Sequence, residues 1–244
     1  MSNIIRLKAV PRFFNIWLLQ SNKWNIFIMG DNAVTSRNVV KLFFSTLFIG
    51  GIVTGITGFI VRWNEFVPYF VNGSVLKIIS TFFWLFGVGL IFSLVSQVSF
   101  FAYLTVHRFG LGIFKSVSLW NGVQVVLIAF ALYDLVYFRH RAFAMEGEGT
   151  LPYIVPAILI LIVGVVIAYF KAKQTNKSAF IPALFFMTVV TVIDWVPVLR
   201  LNDVSWIYLM IFPLLICNAY QILILHKLHE NSIQERKLKA EKSA

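Results

Sequence analysis

Long stretches without a charged side chain set the architecture of this chain. Residues 42–61 make one such run of 20, residues 78–106 one of 29, residues 149–170 one of 22 and residues 204–225 another of 22. Two further runs are each closed by an acid: residues 116–133 end at Asp134 with apolar residues resuming through Phe138, and residues 178–193 end at Asp194 before continuing to Leu199. A soluble helix of this length needs a polar face, and these segments have none. About 20 apolar residues cross the hydrocarbon core of a bilayer as a helix, so the pattern predicts six transmembrane helices. A membrane β-barrel requires strict in–out alternation over about ten positions. Leu42-Phe-Phe-Ser-Thr-Leu-Phe-Ile and Ala157-Ile-Leu-Ile-Leu-Ile-Val do not alternate. Helices also satisfy their own backbone hydrogen bonds in lipid. The expected fold is all-α and polytopic.

The stretch from Ser93 to Phe114 closes one run and leads, past His107, Arg108 and Lys115, into the next, which carries Asn121, Gln124 and Asp134. It reads as a membrane hairpin turning at a short basic loop. Composition changes little in this picture. Hydrophobic residues make up 59% and charged residues 13%, against about 25% charged in soluble domains.

Charge decides orientation. With the amino terminus cytoplasmic, 16 of the 21 basic residues fall on the inner side and five (Arg62, Lys77, Arg139, Arg141, Arg200) on the outer side, as the positive-inside rule requires. Both termini are then cytoplasmic, with Arg139-His140-Arg141 the contrary signal. The net charge of +11 follows from this asymmetry together with attraction to anionic lipid, so it gives no reason to expect nucleic acid.

Three parts are expected: an amino-terminal extension over residues 1–34, a membrane domain over residues 35–228 and a charged cytoplasmic tail over residues 229–244. The extension is apolar and aromatic, but Lys23 and several asparagines break it before spanning length, and no clean signal-peptide cleavage site follows. It reads either as an interfacial amphipathic helix or as sequence upstream of a true start near Met29 or Val34.

Chemical motifs are scarce. No phosphate-binding glycine loop, His-Glu-x-x-His, Gly-x-Ser-x-Gly or cysteine pair occurs, so neither a catalytic centre nor a cofactor is expected. Cys217 reads as a small apolar filler, and His226 with His229 as an inert interfacial pair. Asp134 and Asp194 carry more weight, because an acid inside a membrane costs a few kcal/mol unless it is paired, protonated or near water. One reading pairs them with Arg139 and Arg200 in an interfacial belt. The other makes them a proton or cation relay beside a polar seam of Gln97, Gln124, Asn218 and Gln221. Gly51-Ile-Val-Thr-Gly55, with Gly58, offers a close-approach helix face.

Several segments together resemble the KinB-signalling-pathway activation (KbaA) family. They are Thr35-Ser-Arg-Asn-Val-Val-Lys-Leu-Phe-Phe-Ser-Thr-Leu with Thr57-Gly-Phe-Ile, Phe100-Phe-Ala-Tyr-Leu-Thr-Val-His-Arg-Phe-Gly-Leu-Gly, and Leu119-Trp-Asn-x-Val-Gln with Asp134-Leu-Val-Tyr-Phe-Arg. The likeness runs from about Thr35 to Leu228. It implies a multi-pass protein of the bacterial cell membrane, required for a KinB-type sensor histidine kinase to feed the sporulation phosphorelay, with that membrane kinase and the lipid bilayer as its partners. Contact is expected through helix faces or the basic loop at His107 and Arg108. The alternative is a small proton- or cation-coupled transporter using Asp134 and Asp194.

Overall fold

A computed structural model describes residues 35–145 and 149–243 of the chain. The expectations for the amino-terminal extension fall outside the described residues. The described residues fall into two compact units, one of residues 35–40 with 227–243 and the other of residues 41–145 with 149–226. In the first unit, the described residues meet through Ser232. Its hydroxyl accepts from the Thr35 backbone N–H at 3.0 Å and from Asn38 Nδ2 at 2.8 Å, and donates to the Leu228 carbonyl at 2.6 Å.

All described regular structure is helical. The elements are α1 (Ser36–Val61), α2 (Trp63–Val71), α3 (Val75–Phe114), α4 (Val117–Phe143), α5 (Leu151–Gln174), α6 (Phe180–Phe185), α7 (Thr191–Leu199) and α8 (Val204–Ser243). A 3-10 turn, Lys177–Ala179, leads into α6, and a π-turn, Phe186–Val190, joins α6 to α7, so Lys177–Leu199 runs as one continuous span. Six helices are long and apolar enough to cross a membrane, as the charge-free runs predicted.

Helix ends depart from the ends of those runs. The 40-residue α3 does not stop at His107 and Arg108 but carries both in its last turns. The expected basic loop is therefore confined to Lys115 and Ser116. Lys115 takes a left-handed conformation (φ 53°), and the Ser116 hydroxyl accepts from the Leu119 N–H to start α4. A charge does not end a helix. A left-handed cap followed by a hydroxyl N-cap does. The short α2, which lies between the first two charge-free runs, presents Phe66 inward against Phe59, with ring centroids 5.3 Å apart. Gly73, at φ 62°, makes the turn into α3.

The interior belongs mainly to the last two spans. The most apolar stretches of Lys177–Leu199 and Val204–Leu238 are 67% and 61% buried, against 22–33% for the other four. Trp195 is wholly buried and donates from Nε1 to the Ile207 carbonyl at 3.0 Å, tying α7 to α8. Outside, α1 exposes Phe44, Phe48, Ile52, Ile56 and Ile60, a stripe of large apolar side chains four residues apart. In water such a stripe would drive aggregation. In lipid it is a solvated face, and the six helices are compatible with a multi-pass membrane protein.

The Gly51–Gly55–Gly58 face meets the chain's own α3. A Cβ at Gly51 would stand 2.6 Å from the Phe86 ring, at Gly55 2.5 Å from Phe82, and at Gly58 2.6 Å from Leu85. Aromatic and leucine side chains of α3 thus fill the notch that the glycines leave.

Candidate functional site

The polar groups inside the Lys41–His226 unit converge on one network. Ser96 and Ser99 lie one turn apart on α3, Thr191 and Asp194 one turn apart on α7, and Asn218 and Gln221 one turn apart on α8. A spacing of three puts each pair on one helix face. Ser99 donates to Asp194 Oδ1 at 2.5 Å, Ser96 to Asn218 Oδ1 at 2.6 Å, Asn218 Nδ2 to Thr191 Oγ1 at 2.9 Å, and Gln221 Nε2 to Ser96 Oγ at 2.6 Å. Asn218 also stands beside the Asp194 carboxyl. Side-chain hydrogen bonds thus join three separate helices.

The network is not fully satisfied. Asp194 is 4% exposed, and its Oδ2 has no hydrogen-bond partner among the described residues. Gln221 Oε1 and both amide atoms of Gln97 are in the same condition. The π-turn Phe186–Val190 enters α7 immediately before Thr191. Such wide turns are enriched at functional sites, because they leave backbone groups displaced from the regular ladder. Beside the network, Ser93 bonds the Gly89 carbonyl at 2.9 Å and lies 3.7 Å from the Cys217 sulfur, which is fully buried in the role of small filler.

Asp194 does not pair with Arg200, which corrects the belt reading for this acid. A six-residue step on a helix turns about 240°, so the arginine leaves on another face. The two acids also part company. Asp134 lies with Arg139 and Arg200 in a groove of about 400 Å³ between α4 and α7, and Asp194 does not line it.

A second cluster forms where α3 turns into α4. Trp120 Nε1 donates to His107 Nδ1 at 3.0 Å, and Gln124 Nε2 approaches the same nitrogen at 3.5 Å. An indole N–H can only donate, so His107 Nδ1 must accept, and the neutral ring keeps its proton on Nε2. Gly110 lets the Trp120 ring lie against the backbone, with a Cβ position only 2.4 Å from the indole. Tyr103 donates to the Pro182 carbonyl at 2.9 Å and holds α3 to α6. Arg108 is exposed on the helix surface, and Asn121 is half-buried with its Oδ1 unpartnered among the described residues. Gln97, His107, Asn121, Gln124 and Asp194 therefore point inward, whereas Arg108 points outward.

Sequence reasoning passed over Ser96, Ser99, Thr191 and Trp120. The hydroxyl residues carried a usable signal in their spacing of three on uniformly apolar helices. Nothing in the sequence linked α3 to α7 across 95 positions.

Among the described residues, six helices are long and apolar enough to cross a membrane, a hydroxyl–amide–carboxyl network links three of them, and no group of three or more His, Cys, Asp or Glu could hold a metal ion. The class is an all-helical protein compatible with a multi-pass membrane fold. The chain belongs to the KbaA family, described as KinB-signalling pathway activation in sporulation, whose model matches residues 50–228. It is 46% identical over 192 residues to the KinB-signaling pathway activation protein of Bacillus subtilis (strain 168), an alignment covering 79% of this chain and 97% of that protein. No solved structure matches the chain.

Proposed function

We propose that this protein is an integral membrane accessory of a KinB-type sensor histidine kinase, required for that kinase to be activated in the pathway that initiates sporulation. The observation that carries this reading is the 46% identity to a KinB-signaling pathway activation protein across nearly all of that protein's length. The six apolar helices support residence in the cell membrane, and the positive-inside count supports cytoplasmic termini. The family's name is that of a signalling activator, and we read the protein as acting by contact rather than by catalysis.

Contact with a membrane kinase would run through lipid-facing helix surfaces and through the basic end of α3, where Arg108 is exposed. Deletion of the gene in a background dependent on KinB-type signalling tests the role. Sporulation frequency is expected to fall sharply and to recover with a version beginning at Val34. Normal sporulation after deletion would refute the reading. A reporter fused after Ala244 is expected to be active in the cytoplasm.

The transporter alternative keeps one supporting observation, the buried Asp194 with its unpartnered Oδ2. Asp194→Asn at normal protein level separates the two readings. A relay would lose all function, whereas a contact protein would keep it.

A further inference from the structure

We infer that the groove between the carboxy-terminal halves of α4 and α7 binds the headgroup of an anionic membrane phospholipid, with Arg139 and Arg200 as its phosphate ligands. The inference rests on the membrane residence proposed above, but not on the kinase partner.

The groove has a volume of about 400 Å³, and its walls include Phe138 and Val196, which are 59% and 37% exposed. Such walls suit acyl chains. Its lining also includes two arginines, Arg139 four residues before the end of α4 and Arg200 capping α7. Arg139 is fixed from behind. Its guanidinium lies 5.4 Å from the centre of the Tyr153 ring and donates to Asn202 Oδ1 at 3.4 Å. Its Nε is buried and unpartnered among the described residues. A second hollow of about 220 Å³, lined by Tyr153, Asn202 and Tyr208, adjoins it on that side. An arginine that lines an apolar groove and keeps a buried, unpartnered Nε matches a phosphate oxygen in charge.

Asp134 lies in the same groove, five residues earlier on α4 and so about 7.5 Å away along the helix axis. A phosphate at the level of the arginines would be repelled by it. The same arginines would also serve the carbonyl ends of α4 and α7 if they did nothing but offset the helix dipoles. These two roles predict different behaviour for Asp134, because replacing it with asparagine favours an anion but does little for a helix end.

The test uses the full-length protein, extracted from bacterial membranes in mild detergent and examined by native mass spectrometry for phospholipid retained through delipidation. Phosphatidylglycerol is expected to remain bound in preference to phosphatidylethanolamine. Retention is expected to drop about five-fold with each of Arg139→Gln and Arg200→Gln and to rise with Asp134→Asn. Arg200 is exposed, so its substitution carries the result even where Arg139→Gln unsettles the fold. Unchanged retention in Arg200→Gln, equal retention of phosphatidylethanolamine, or displacement of phosphatidylglycerol by free oleate would overturn the assignment. Failure of the underlying reading would show differently, as recovery of the protein in the soluble fraction without detergent.

Discussion

Gly89→Ala is the substitution whose cost can be worked most directly from the structure. A Cβ at Gly89 would lie 2.4 Å from the Gly50 carbonyl oxygen and 2.6 Å from both Cβ and Oγ1 of Thr54. Ordinary van der Waals contact begins near 3.4 Å, so α1 and α3 would have to part by about 1 Å. The obstruction is backbone on one side. On the other it is a threonine already committed to the Gly50 carbonyl at 2.7 Å, so neither can swing away. Overpacking of this kind costs about 1–3 kcal/mol, and losing the threonine bond adds about 1 kcal/mol. The helix gains back about 1 kcal/mol when glycine becomes alanine. The net expectation is a loss of about 1–3 kcal/mol, the sum of those three magnitudes.

Two neighbours calibrate the result. Gly51→Ala meets only the edge of the Phe86 ring, which can pivot, and Gly87→Ala meets nothing within 4 Å. Melting of the three purified variants in the same detergent should rank them Gly87→Ala at or above wild type, Gly51→Ala slightly below, and Gly89→Ala lowest. The reasoning fails if Gly89→Ala melts with or above Gly87→Ala, or if Gly51→Ala is the more damaging change.

Ser99→Ala is expected to destabilise the protein by about 1–3 kcal/mol, because it strips the one hydroxyl that donates to Asp194 Oδ1 and leaves a buried acid without it. Asp194→Asn should restore most of that loss in the Ser99→Ala background, read by the same detergent melts, and no rescue would mean that Ser99 acts elsewhere. Cys217 is wholly buried, so a maleimide should leave it unmodified in the native bundle and label it fully in denaturant, and rapid native labelling would contradict the α8 placement.

The spans were legible because a bilayer imposes one rule on every residue of a crossing segment, and a missing charge is visible without any knowledge of partners. Their ends were less so. The run that ends at Val106 became a helix reaching Phe114, since His107 and Arg108 are tolerated wherever a helix nears the membrane surface. Better signals were Ser116, whose hydroxyl caps α4, and Asp203, whose carboxylate accepts from the N–H groups of Ser205 and Trp206 to start α8. The short α2 falls outside every charge-free run, and the aromatic residues that give it an inner face mean little until Phe59 is known to lie beside them.

Pairing across spans was the illegible part, and the reason is physical. Within one helix, geometry alone says that residues three or four apart meet and that Asp194 and Arg200 do not. Between helices, the partner is set by how deeply notches such as Gly89 against Gly50 let two backbones approach, which positions every other contact along that interface. Asp194 therefore looked like half of a salt bridge when judged by its nearest charge in sequence. It is instead part of a hydroxyl–amide network, joined through Ser99 to a helix 95 residues away. Arg200, not paired with Asp194, lines an apolar groove together with Arg139 and Asp134, so the sequence signal first read as electrostatic stapling divides into an internal network around Asp194 and a surface groove that Asp194 does not line.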